Sequence, residues 1–319
     1  MWARDGKLKG GALGKLPGVL LCALLASGCS IKKFAINQLG DALASGSGTT
    51  FASDDDPELI RGALPFSLKL IESLLAESPR HPGLLLAASS GFTQYAYAFI
   101  QQDADEIEDR DLAAANALHD RARRLYLRAR DYGLRGIEVR HPYFGKALRQ
   151  NPTAALRAAR SNDVALLYWT AASWGAAISI SKDNPDLVAD LPMVEALIDR
   201  AVALDETFDH GALHVFLISL ETARPGGQGD PAARAKRHFE RALELSGQNQ
   251  VAPLVAYAEA VCVKKQDRTQ FKSLLDRALA VNPDAAPQSR LVTLVLQRRA
   301  RWLLGQEEEL FVETENEKK

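Results

Sequence analysis

The chain has 319 residues, 47% apolar and 25% charged, with 39 lysines and arginines against 40 aspartates and glutamates. That balance excludes the single-sign field of a nucleic-acid binder, and the apolar share is enough for a large core in one long domain or two. Three cysteines, at positions 22, 29 and 262, exclude a disulfide-stapled scaffold.

Arg4, Lys7, Lys9 and Lys15 make a positive start, and Leu16–Ala26 is an apolar run of eleven residues. Leu25-Ala26-Ser27-Gly28 then leads into Cys29, with Ala26 where Leu is usual. A charged start, a short apolar stretch and a small-residue cut site describe a secretory signal peptide. As helix the run spans about 16 Å, roughly half a bilayer core, too short for an uncleaved span. Cysteine directly after the cut is the bacterial lipobox pattern. Residues 1–28 are therefore read as a lipoprotein signal peptide, and Cys29 as the acylated first residue of the mature chain. Their removal takes away four bases and one acid and leaves a net charge of −4. Ser30 rather than Asp follows the lipid cysteine, so nothing marks retention at the inner membrane, and a periplasmic protein anchored to the outer membrane is expected. Cys22 leaves with the signal. Cys262, alone in Ala258-Glu259-Ala260-Val261-Cys262-Val263, reads as a small buried hydrophobe.

Residues 29–52 read as a lipidated tether, with Ile31-Lys32-Lys33-Phe34 at the membrane surface and Gly46-Ser47-Gly48 as a flexible joint. Order begins at Ser53-Asp54-Asp55-Asp56-Pro57, where Asp56 caps a helix and Pro57 presets its first turn. The three aspartates lack the ligand spacing of a calcium loop, and their charge suits a helix N-terminus. Asn151-Pro152 and Asp230-Pro231 repeat the device, with a variant at Asp190-Leu191-Pro192. Between these marks the apolar period is helical: Leu118, Ala122, Leu125, Tyr126 and Ala129 form one stripe. No window alternates as a strand would. The spacing predicts an all-α fold.

Arg128-Ala129, Arg200-Ala201, Arg241-Ala242 and Arg277-Ala278 each sit near the end of a predicted helix. The last two lie in Phe239-Glu240-Arg241-Ala242-Leu243 and Leu275-Asp276-Arg277-Ala278-Leu279, the latter running on to Asn282-Pro283. They resemble the second helix of a tetratricopeptide (TPR) repeat, and their spacing approaches that period or its double. Such hairpins stack because none buries its apolar face alone. A TPR-like helical-hairpin solenoid is expected over residues 53–311, with Pro287–Leu304 as closing helix and residues 312–319 as a charged tail.

Candidate chemistry is sparse. His210 and His214 stand four apart, on one face if helical, but Gly211 occupies the place where a zinc hydrolase carries its glutamate. No nucleophile elbow, phosphate loop or dinucleotide motif is present. No catalytic residue, metal site or cofactor is predicted, and the chain is read as a non-enzyme. Arg121, Arg123, Arg124, Arg128 and Arg130 are expected to pair with the acidic run Asp103, Asp105, Glu106, Glu108, Asp109 and Asp111 just upstream. Val164–Ile180 is apolar all round and must be buried. Its Tyr168, Trp169 and Trp174, with Phe92, Tyr95 and Tyr97, are assigned to the wall of an apolar ligand cleft, where Gly91 and Gly175 leave room.

A longer series of motifs resembles a known family. It comprises Phe51-Ala52-Ser53-Asp54-Asp55-Asp56-Pro57-Glu58-Leu59, Tyr95-Ala96-Tyr97-Ala98-Phe99, Leu125-Tyr126-Leu127-Arg128-Ala129-Arg130-Asp131-Tyr132-Gly133-Leu134, Gly211-Ala212-Leu213-His214 and Arg299-Ala300-Arg301-Trp302-Leu303-Leu304. In this order they resemble the T component of tripartite ATP-independent periplasmic (TRAP) transporters, the TatT family. The resemblance implies a periplasmic lipoprotein with TPR-like helices that associates with the solute-binding P component. It further implies a homotrimer with an apolar cleft for a hydrophobic solute, and no catalytic residues. The alternative from the residues alone is a TPR lipoprotein scaffold serving outer-membrane or envelope assembly.

Overall fold

The computed structural model describes residue 38 and residues 50–224, 227–247 and 250–312. The signal peptide, Cys29, nearly all of the tether and residues 313–319 of the tail lie outside the described residues. Among the described residues every regular element is a helix and none is a strand, as the periodicity predicts.

Side-chain caps followed by proline start many of these helices. In α1 (Pro57–Glu77) Asp56 accepts from the N–H groups of Glu58 and Leu59, both at 3.0 Å. In α2 (Pro82–Ala96) the cap is His81, whose Nδ1 accepts from Leu84 N–H. A π-helical turn, Tyr97–Gln101, carries α2 into α3 (Gln102–Ile107). Asp111 caps α4 (Leu112–Glu138), and α5 (Phe144–Gln150) leads to α6 (Pro152–Leu156), capped by Asn151. The buried α7 (Val164–Ser179) is followed by α8 (Pro185–Val188) and α9 (Leu191–Leu204). Asp190 does not cap α9 as expected; it pairs with Arg149 at 3.1 Å. After α10 (Ala212–Ala223), Asp230 caps α11 (Pro231–Ser246). A second π turn, Ala258–Cys262, joins α12 (Val251–Tyr257) to α13 (Val263–Lys265). The chain ends with α14 (Arg268–Ala280), α15 (Arg290–Gly305) and α16 (Glu307–Leu310).

Neighbouring helices pair antiparallel. Across α2–α3 and α4, Ser89 faces Gly133, Tyr95 meets Arg121 and Asp105 meets His119. Across α4 and α7, Leu166 faces Gly136, Thr170 faces Gly133 and Trp174 lies under Arg130. Gly133 is needed there, because a Cβ would sit 2.2 Å from Thr170 Oγ1 and 2.9 Å from Ser89 Oγ. The alanines of all four Arg-Ala pairs, Ala129, Ala201, Ala242 and Ala278, are fully buried. Small residues at the contact lines let the rods nest at short interaxial distance.

The core falls into two clusters. The first runs from α1 through α10, the second from α10 through α16. α15 belongs to both, since Val295 and Leu291 join the first cluster while Ala300 and Leu303 join the second. The end of the chain therefore packs back on its beginning: Arg290 Nη1 donates to Ser53 O at 3.0 Å, 237 residues away.

Candidate functional site

A dense polar junction sits where α15 meets the N-terminal hairpin, and the two π turns explain its position. A π turn widens the helix and leaves carbonyls without their usual partners. Arg61 of α1 donates to Phe99 O and Arg298 of α15 to Ala98 O, both inside the first π turn. Asp103 binds the same two arginines, Arg61 Nη2 at 3.0 Å and Arg298 Nη2 at 2.8 Å. Arg299 is nearly buried and spans from Asp105, at 2.6 Å, to Glu259 in the second π turn, at 2.5 Å, with Trp302 stacked 4.1 Å away. Against burial, which favours the neutral form, Glu259 and Asp105 hold its guanidinium firmly charged. Burial pushes the Tyr97 hydroxyl beside this group up to about 12. Asp105, Glu108 and His119 bring ligand atoms within 4.8 Å of one another. The cation Asp105 holds there is Arg299.

The acidic run thus does not pair with the α4 arginines. Its partners are Arg61, His119, Arg298 and Arg299. The α4 arginines turn elsewhere: Arg121 to Tyr95, Arg123 to Asp120, Arg128 to Glu72, Arg130 to Asp131 and the Trp174 ring. Sequence proximity favoured the wrong pairing. The available signal was Arg298-Arg299, two adjacent cations on a helix already expected to close the chain.

The six aromatic residues assigned to a cleft separate into two groups. Phe92, Tyr95 and Trp174 are buried in the core, with Phe92 stacked on Tyr132 and Trp174 between Arg130 and Arg149. The glycines leave no room beside them. A Cβ on Gly91 would meet Leu68 at 2.8 Å and one on Gly175 would meet Phe216 at 3.0 Å. Tyr97, Tyr168 and Trp169 are half-buried, and Tyr168 contacts both Trp169 and Phe208.

His210 and His214 do not share a helical face. His210 lies in a left-handed turn before α10, with Asp209 at φ 45° and His210 at φ 54°, and is exposed. His214 is buried inside α10, its Nδ1 2.9 Å from Nδ1 of His238 on α11. At that distance one nitrogen donates and the other accepts, so the accepting ring is neutral and the two cannot both be protonated. Burial lowers both, and together with the facing His214 it brings His238 to about 4. Cys262 is buried as expected, and burial pushes its thiol up to about 12.

The exposed His210 borders a cavity of about 720 Å³, formed between the start of α10, the end of α11, α12, α14 and the approach to α15. Leu254, Arg277, Val281, Gln288 and Thr293 also line it, and none of the six aromatic residues does.

The sequence model of the TRAP transporter T-component family matches residues 53–311. The chain belongs to that family. A Treponema pallidum (strain Nichols) protein, described as uncharacterized, is 30% identical over 322 residues, covering 94% of this chain and 100% of its own length. As a T component the chain has an accessory role in a TRAP transporter. Among the described residues of this T component, no helix is long and apolar enough to cross a membrane.

Proposed function

We propose that this T component is a lipid-anchored periplasmic scaffold, held through Cys29 at the outer membrane, that associates with the solute-binding P component of its transporter. The family match over residues 53–311, from before α1 to after α16, supports the association with the transporter, and the Leu25–Cys29 motif supports the anchor. Paired helices that stack in order, with buried alanines at their contacts, support a TPR-like solenoid. Such stacking leaves extended faces for a partner. A lipid anchor raises the partner's local concentration near the membrane by geometry alone. The proposal includes a homotrimer and passage of a hydrophobic solute beside the half-buried Tyr97, Tyr168 and Trp169. Gentle crosslinking in cells followed by capture of the tagged chain tests the association. Recovery of a periplasmic solute-binding protein is the expected outcome. Recovery of outer-membrane assembly proteins alone would instead favour a scaffold for envelope assembly.

A further inference from the structure

The 720 Å³ cavity has the size of a small-molecule site. Among the described residues its wall carries one formal cation, Arg277, and no aspartate or glutamate. Arg277 belongs to the repeated Arg-Ala pairs, and its three counterparts all have fixed partners. Arg128 binds Glu72, Arg200 donates to Ala159 O and Arg241 binds Glu206. Arg277 has no hydrogen-bond or ion-pair partner among the described residues.

The turn bearing His210 is the second observation. Asp209 and His210 both adopt left-handed backbone, which consecutive non-glycine residues seldom share. The strain is held from two sides. Phe208 packs on Tyr168, and Gly211, at φ 92°, lies so close to α11 that a Cβ would meet Leu245 at 3.2 Å. Strain of this kind concentrates at functional sites, and here it sets an imidazole on the wall of a cavity that also holds an unpaired guanidinium. Gln288, Asn282 and Ser289 add neutral hydrogen-bonding groups, while Leu254 and Val281 give an apolar side.

We propose that this cavity binds a small amphiphilic carboxylate, with Arg277 anchoring the head group, His210 as a second donor, and Leu254 and Val281 against the apolar body. An unpaired guanidinium without a competing acid selects an anion, and its planar fork matches a carboxylate. Such a ligand differs in class from a wholly hydrophobic solute, and its binding is measurable without any partner protein.

Calorimetric titration of the full mature chain, expressed without acylation, with octanoate, octanol and inorganic phosphate tests the proposal. Octanoate should bind once per chain and at least about 10-fold more tightly than octanol or phosphate, the scale of one charge-assisted hydrogen-bond pair. Arg277→Gln should abolish the preference for octanoate over octanol, and Arg277→Lys should keep part of it. The exposed position of Arg277 leaves the thermal midpoint of both variants unchanged. Equal binding of octanoate and octanol, no binding of octanoate, phosphate binding as tight as octanoate, or wild-type octanoate affinity in Arg277→Gln would each overturn it.

Discussion

Arg299 Nη1 lies 2.6 Å from Asp105 Oδ2, 194 residues earlier in the chain, while its Nη2 reaches Glu259 at 2.5 Å. One side chain thereby ties α15 to α3, just after the first π turn, and to the second π turn. With Arg299 only 8% exposed, its removal leaves Asp105, itself only 13% exposed, without its arginine and with His119 as its remaining side-chain partner among the described residues. Arg299→Ala should cost about 3 kcal/mol, read as a lower urea midpoint. Arg299→Lys should recover little, because a point charge does not reproduce two directed contacts to separate carboxylates.

Gly133 is a close-packed point between α2, α4 and α7, bounded by Thr170 Oγ1 and Ser89 Oγ. Thr170 cannot simply rotate away, because its hydroxyl donates to Leu166 O at 2.6 Å. Gly133→Ala should therefore destabilise by about 2 kcal/mol through overpacking, despite the better helix propensity of alanine. Truncating Thr170 to Ala in the same chain should return part of that loss. A double-mutant cycle by urea unfolding would then show a coupling of opposite sign to the single effects, and additive single losses would contradict it.

The helical class and most helix starts were legible because they depend on local chemistry. Asp56, Asn151 and Asp230 each cap the helix expected of them, and the alanines after the repeated arginines are buried. What was not legible depends on distant partners. Arg130 and Arg149 meet only across Trp174, and the acidic run meets Arg298 and Arg299 only because α15 folds back. His210 failed as a helical position for a different reason. Its left-handed backbone is imposed by packing of Phe208 and Gly211 on neighbouring helices, which no local propensity records. The cavity was missed on the same account, since its wall gathers residues from five separate segments.

The lipobox predicts that Cys29 carries the anchor. Cys29→Ser should abolish palmitate labelling and release the protein from the membrane fraction into the soluble periplasm. Several acyl chains, at about 0.8 kcal/mol per buried CH₂, anchor stably where a single chain does not. Unchanged labelling in the variant would remove the anchor from the proposed function.

The His214–His238 pair predicts an acid limit to stability. His238 faces His214 and Glu221, with Arg224 and Arg237 nearby, while Glu206 and Arg241 flank His214. In the folded protein His238 protonates near pH 4, against about 6.5 for an unfolded histidine. Between those values the unfolded chain binds the extra proton. The stability contributed by the neutral pair is therefore complete above about pH 6.5 and is lost as pH falls toward 4. His238→Gln has no imidazole to protonate at this position and should lose less stability than wild type between neutral pH and pH 4.5, by on the order of 2 kcal/mol. Urea unfolding of both proteins across that range checks it, and parallel pH profiles would show that the pair is not buried in neutral form.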